Sequence, residues 1–178
     1  MRTDRLQQDY GIELHWSVFP LHPETPVEGM ELSELFVGRE ADIEAMQARL
    51  IKVAAAEGLT LAIRTRTYNS RFAQELGKWA ESRGAGDLFR RAVYRAYFVE
   101  GSNIALDNEL IRIADSVGLP VDEASVVLSE RSFAPSVDAD WQRAREMRIT
   151  AVPTHLCDGK RLAGFSSYDD YVRLIGND

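Results

Sequence analysis

The chain has 178 residues, of which 45% are apolar, and it carries a formal net charge of -7 at pH 7. This size and apolar content fit one compact domain with a substantial hydrophobic core. The 21 basic residues are scattered among 28 acidic ones, which argues against a nucleic-acid-binding surface and against a polybasic membrane patch. No apolar run approaches the roughly 20 residues of a membrane-spanning helix, and the polar amino terminus is unlike a signal sequence. We therefore expect a cytoplasmic protein.

The only cysteine is Cys157, and the three histidines (His15, His22 and His155) are scattered along the chain. An intramolecular disulfide needs two cysteines, and a structural zinc site needs clustered cysteine and histidine ligands. The sequence therefore predicts neither a disulfide nor a metal site.

The amino-terminal segment reads as the end of a helix followed by a strand. Residues 3–10 are polar, and Gly11 stands where a helix usually ends. Residues 11–19 alternate apolar and polar side chains, which is the period of a β-strand, and Pro20 ends that pattern.

Helical spacing dominates residues 29–134. Ile43, Met46, Leu50 and Val53 recur at helical intervals and predict one apolar stripe. Further helices are predicted after Asn69-Ser70, which are natural N-cap residues, and from the apolar patterns at 88–97, 110–117 and 137–144. We expect several helices that pack together.

The pattern changes near the carboxyl end. Residues 149–156 are β-branched and apolar around Pro153, and Asp158-Gly159 is a strong signal for a two-residue β-hairpin turn. A second short strand follows at 161–165, and residues 168–175 predict an amphipathic closing helix. The order of elements therefore predicts an α/β protein.

A family resemblance is carried by four stretches, HWSVFPLHPETP (15–26), RTRTYNSRFAQELGKWA (64–80), FRRAVYRAYFVEGSNI (89–104) and VDADWQRAREMRITAVPTHL (137–156). They resemble the DsbA family, which has a thioredoxin-like fold with a large helical insertion. Within that family the likeness is to the FrnE-like branch, near the 2-hydroxychromene-2-carboxylate isomerases. The resemblance implies one DsbA-like thioredoxin domain over residues 1–178, with its core in 1–28 and 135–178, a helical insertion at 29–134 and the first strand missing.

The resemblance also implies a substrate-binding loop at Val152, Pro153 and Thr154. In the family the proline is cis, and the residue before it pairs its backbone with a substrate peptide. Ser166 and Ser167 lie where glutathione-using relatives hold their ligand, although their ordinary role would be to cap the last helix. Asn69 is a further candidate contact, with helix capping as its ordinary role.

The sequence departs from the family at its beginning. Family members start with a strand that leads into a CxxC motif at the first helix, whereas this sequence begins inside that helix and contains no CxxC. Disulfide exchange needs an attacking and a resolving thiol, so we expect no catalytic residue and a truncated, inactive site. Cys157 and His155 are expected to be structural. Without the strand, residues 11–19, a second copy, or an upstream segment before Met1 would have to complete the sheet.

Three functions remain open at this point. The first is a thiol-disulfide oxidoreductase acting on protein substrates, inactive in this form. The second is a relative of the glutathione-dependent isomerases, for which Arg64 and Arg66 could bind an anion, although isolated arginines are usually solvated. The third is a peptide-binding or dimeric module. Except for glutathione under the second alternative, we expect no cofactor. The aromatic residues Trp79, Tyr94, Tyr97 and Phe98 are expected in the core.

Overall fold

The computed structural model describes residues 2–176, which fall into two compact units. One unit contains the described residues up to Leu21 and from Ala139 onward, and the other contains His22–Asp138. The helices are α1 Arg2–Tyr10, α2 Leu32–Leu35, α3 Glu40–Ala56, α4 Arg71–Ser82, α5 Gly86–Phe98, α6 Asp107–Ser116, α7 Val121–Glu130, α8 Ala134–Glu146 and α9 Tyr168–Leu174. The strands are β1 Met30–Glu31, β2 Arg66–Thr67, β3 Thr154–Cys157 and β4 Lys160–Ala163.

The core of the second unit lies among α4, α5, α6 and α7. Each of these helices has an apolar face at helical spacing, and burying that face is what stabilises a helix of this length. The most completely buried side chains include Leu76, Phe89, Leu110 and Ile113. The predicted helical character of this region is confirmed. Trp79 is buried as expected, but Tyr94 is 51% exposed and is not a core residue.

The predicted apolar stripe on α3 is wrong in detail. Ile43 is buried, but Met46 and Leu50 are 54% and 45% exposed. The side of α3 that carries Ile43 and Ala54 faces inward. Gln47 lies on the same side and bonds both the backbone N–H and the carbonyl of Arg64, so its amide satisfies two backbone groups there.

The first unit is built around the hairpin β3–β4, with α1 and α9. The predicted helix end at Gly11 is confirmed: its φ is 63°, and its N–H donates to the carbonyl of Gln7. The predicted hairpin is also confirmed, with Asp158 and Gly159 both at positive φ in the two-residue turn.

The predicted strand at residues 11–19 is not formed. The segment has no regular secondary structure, and its apolar residues Ile12, Leu14 and Val18 are only partly buried. A strand needs the backbone of a neighbour to bond with, and the N–H of Val18 instead donates to a carboxylate oxygen of Asp140 at 2.9 Å.

Candidate functional site

The loop that precedes β3 is held in place by two hydrogen bonds, one to the carbonyl of Pro153 and one to the carbonyl of Ala151. The N–H of Gly164 donates to the carbonyl of Pro153 at 2.8 Å, and the hydroxyl of Thr154 donates to the carbonyl of Ala151 at 2.7 Å. The Val152–Pro153 peptide bond is cis. Two backbone carbonyls of this loop therefore have partners from the hairpin itself.

Val152 differs from its neighbours in this loop. Its side chain is 46% exposed. Within residues 2–176, neither its N–H nor its carbonyl takes part in a hydrogen bond. Exposed backbone groups of this kind can pair with the backbone of an extended ligand. Of the three sequence-predicted residues, Val152 and Pro153 are exposed in the loop, and the half-buried Thr154 is the first residue of β3.

His155 and Cys157 lie on β3, on the face opposite to Thr154 and Leu156. The His155 ring packs edge-on against Tyr171 at 4.8 Å between centroids. Its Nδ1 is buried without a hydrogen-bond partner among the described residues, and burial lowers the pKa of His155 below its ordinary value. The Cys157 sulfur lies 3.8 Å from a carboxylate oxygen of Asp158 at the turn. Within the described residues, no hydrogen bond joins His155 to Cys157 or to another nucleophilic side chain.

Ser166 and Ser167 follow β4 and have structural partners. The hydroxyl of Ser167 accepts the N–H of Asp170, whose carboxylate in turn accepts the N–H of Ser167, so the two form a capping box at the start of α9. The carbonyl of Ser166 accepts from Arg2, and its hydroxyl lies 3.5 Å from the carbonyl of Gly164.

Asn69 lies in the other unit, where it joins two loops. Its side-chain oxygen accepts the N–H of Arg71 at 2.8 Å at the start of α4, which fits the predicted capping role. Its amide donates to the carbonyls of Pro23 and Thr25. Ser70 occupies the N-cap position but makes no capping bond with its side chain.

The two arginines considered as anion ligands are engaged by the protein. Arg66 forms an ion pair with Glu31 at 2.5 Å. The guanidinium of Arg64 lies over the rings of Tyr97 and Phe98, at 4.4 and 4.9 Å from their centroids. Arg66 is thus paired, although its side chain is still 39% exposed, whereas Arg64 is half-buried and departs from the expectation that it is solvated.

No group of three or more histidine, cysteine, aspartate and glutamate side chains within residues 2–176 comes together in a way that would hold a metal ion. None of the helices in this part of the chain combines the length and apolar character that crossing a membrane requires.

The sequence reasoning missed Leu156, which is 40% exposed on β3 and lies two residues beyond Thr154. A signal for it was present, because a two-residue turn at Asp158-Gly159 fixes the hairpin register. Counting back from that turn tells which residues of β3 direct their backbone N–H and carbonyl groups away from β4, and which face of the hairpin each side chain occupies.

Residues 1–176 match the family of DSBA-like thioredoxin domains. A solved structure of a probable DsbA oxidoreductase, SCO1869 from Streptomyces coelicolor, superposes with a TM-score of 0.88 over 98% of this chain and 80% of that protein, at 23% identity. This likeness shows that the two chains share a fold.

Among curated proteins, the ClpXP adapter protein SpxH of Bacillus subtilis is 29% identical over 102 residues, which are 53% of this chain and 34% of SpxH. The SpxH of Shouchella clausii is 30% identical over 107 residues, or 55% of this chain and 36% of that protein. The matched stretch is thus about a third of these relatives' length. The match over residues 1–176 shows that the chain belongs to the family of DSBA-like thioredoxin domains.

Proposed function

We propose that this chain is a protein-binding module that takes up an extended segment of a partner beside Val152 and Pro153. The observation that carries the proposal is the exposed backbone of Val152, which has no hydrogen-bond partner within the described residues. The carbonyls of its neighbours Ala151 and Pro153 accept hydrogen bonds from Thr154 and Gly164, so the loop is already ordered for a ligand. Support also comes from the relatives that are named adapter proteins, since an adapter acts by binding other proteins.

The proposed binding is independent of thiol chemistry. The sequence has one cysteine, and the family's exchange reaction needs two thiols in one site. We expect that the chain does not accelerate the reduction of insulin by dithiothreitol. A Cys157→Ser variant should give the same, uncatalysed rate. Acceleration by the unaltered chain but not by this variant would contradict the proposal.

Binding can be measured with fluorescently labelled, reduced and alkylated α-lactalbumin, an unfolded protein without free thiols. The test variant is Val152→Asp, and the control is Val37→Asp, at an exposed valine in the other unit. A carboxylate that the bound segment desolvates should weaken binding by about 5-fold or more, whereas the control should bind like the unaltered chain. Equal affinities for all three proteins, or no binding by any, would refute the proposal.

We also propose a cytoplasmic location and a place near the FrnE-like branch. The support is the set of stretches that resemble this branch and the single cysteine, since proteins of oxidising compartments commonly carry disulfides. The glutathione-dependent alternative stays a prediction. It can be tested by titrating glutathione and following the backbone NMR signals of Ser166 and Ser167.

A further inference from the structure

The helical unit contains an open cavity between the end of α4 and α7. Its volume is about 430 Å³, and small-molecule sites in proteins commonly measure about 300–1,000 Å³. All of its lining residues belong to the unit formed by His22–Asp138. The cavity therefore lies within one unit, and it does not involve the Val152 loop.

The buried part of the lining is apolar and aromatic. Trp79 of α4 is 3% exposed and Val127 of α7 is 7% exposed, and both belong to the hydrophobic core. Phe133, which follows α7, packs against the same core. The exposed side chain of Val126 completes the apolar lining. A flat aromatic ring suits such a surface, because contact with other rings buries area and adds a specific attraction.

Trp79 also supplies a polar group to the cavity. Its indole N–H makes no hydrogen bond within residues 2–176 and is not among the fully enclosed groups. The rest of this side chain is almost completely buried, so the cavity is where an acceptor can approach it. A donor in apolar surroundings gains free energy when it finds an acceptor. The cavity therefore favours a ligand that carries an oxygen or nitrogen acceptor beside its ring.

The rim of the cavity carries one uncompensated carboxylate. Arg83 and Glu123 both lie on the rim and form an ion pair with each other. Asp122, in the first turn of α7, has no ion-pair or hydrogen-bond partner among the described residues. The chain as a whole has a net charge of -7. Both the local and the overall charge therefore favour a cationic ligand.

We infer that this cavity binds a small aromatic amine. The ring system packs against Trp79 and Phe133, an acceptor atom beside the ring takes the indole N–H, and the protonated amino group lies near Asp122. This inference is independent of the proposed function, because the cavity and the Val152 loop lie in different units.

A small molecule fits the cavity better than a segment of protein. Its walls are mainly helices, whose backbone groups bond within the helix, so an extended segment finds no backbone partners there. An amphipathic helix is recognised through anchors spread over more than one turn, and about 430 Å³ holds only a ring system with a short chain. An upstream segment of the chain would continue from Arg2, which donates to the carbonyl of Ser166 in the other unit.

The test titrates 5-methoxytryptamine into the full chain and follows the protein by two-dimensional NMR. This probe combines a flat ring, an ether oxygen and a protonated amine. The indole signal of Trp79 and the backbone amide of Val126 should shift saturably, with a dissociation constant of about 1 mM or lower. The indole signals of Trp16 and Trp141, in the other unit, should not move. Equal shifts at all three tryptophans, or no saturable shift at Trp79, would overturn the inference.

A matched pair of probes tests the charge of the ligand. 5-Methoxytryptophol differs from the amine only by a hydroxyl in place of the amino group. We expect the unaltered chain to bind the alcohol about 2- to 5-fold more weakly, the effect of one solvent-exposed ion pair. In Asp122→Asn this preference should disappear. Equal affinities of the unaltered chain for both probes, or an undiminished preference in Asp122→Asn, would show that Asp122 does not hold an amine.

Two valine substitutions on α7 test the position of the site. Val126 lines the cavity and is 51% exposed, whereas Val121 does not line it and is 39% exposed. Because both side chains are exposed, both lysine variants should fold. Val126→Lys places a cation where the amine binds and should weaken binding by about 3-fold or more, whereas Val121→Lys should bind like the unaltered chain. Equal affinities of the two variants would refute the assignment of the cavity.

Discussion

Replacement of Glu75 by glutamine should destabilise the helical unit strongly. Glu75 is completely buried in α4, and its carboxylate accepts hydrogen bonds from two arginines. Arg71 donates at 2.5 Å, and Arg131 donates through two nitrogens at 3.0 and 2.5 Å. Arg131 immediately follows α7 and has a left-handed backbone with φ of 54°. The carboxylate thus ties α4 to the end of α7.

The magnitude follows from what each arginine retains in the variant. Loss of one partner of a buried ion pair costs about 3–5 kcal/mol when the remaining charge is left uncompensated. Here Arg71 keeps bonds to Asp138 and to the carbonyl of Ala134, and the side chain of Arg131 is 46% exposed. We therefore expect Glu75→Gln to lower the free energy of unfolding by about 2–4 kcal/mol.

Urea unfolding followed by circular dichroism measures this change. The matched control is Glu123→Gln, because Glu123 forms an ion pair with Arg83 in which the side chains are 44% and 49% exposed. Such a surface pair contributes about 0–1 kcal/mol. If Glu75→Gln costs no more than Glu123→Gln, the buried carboxylate does not stabilise the unit as argued.

The difference in stability between the unaltered protein and Glu75→Gln should depend on pH. Burial by itself raises the pKa of Glu75, but the bonds from Arg131 and Arg71 outweigh it and hold the pKa below the ordinary value of 4.5. The unfolded chain therefore takes up its proton first as the pH falls. The advantage of the unaltered protein over Glu75→Gln should be complete above about pH 4.5 and shrink below it. An advantage that stays constant into the acid range would contradict this assignment.

Two further pairs of substitutions, one at glycines and one at a helix cap, are tested by the same urea assay. Gly29→Ala should cost about 2 kcal/mol or more, because Gly29 has φ of 83° and an added Cβ would lie 2.5 Å from ring atoms of Tyr68. Gly77→Ala should instead stabilise by about 0.5–1 kcal/mol, because Gly77 is helical and an added Cβ would lie 4.0 Å from the ring of Phe89, an ordinary contact. Ser167→Ala should cost about 1 kcal/mol by removing the acceptor for the N–H of Asp170, and Ser167→Asn, which restores an acceptor, should recover most of it. Equal effects of the two glycine variants, or no loss in Ser167→Ala, would contradict these assignments.

Local signals predicted the elements that depend on local geometry. Gly11 ends α1, Asp158 and Gly159 form the hairpin turn, and Ser167 caps α9, all as the sequence indicated. Each of these features is decided by one or two residues whose backbone preferences or short side chains act within a few positions.

The orientation of α3 could not be predicted in the same way. Its apolar residues cover more than one side of the helix, so spacing alone does not choose between the side of Met46 and Leu50 and the side of Ala54. Gln47 lies on the buried side and bonds the backbone of Arg64, 17 residues further along the chain. A polar contact at that separation leaves no periodic trace in the sequence.

The unformed strand at residues 11–19 and the hairpin β3–β4 illustrate one physical requirement. Alternation of side chains tells which face of a strand could be buried, but a strand exists only when a neighbouring backbone completes its ladder. Residues 11–19 alternate apolar and polar side chains but form no backbone ladder with another strand. The N–H of Val18 bonds to the carboxylate of Asp140 instead. β3 has one ladder, with β4, and a second row of backbone groups directed outward. The hairpin forms because β4 completes the ladder of β3, whereas the described residues give 11–19 no neighbouring strand to pair with.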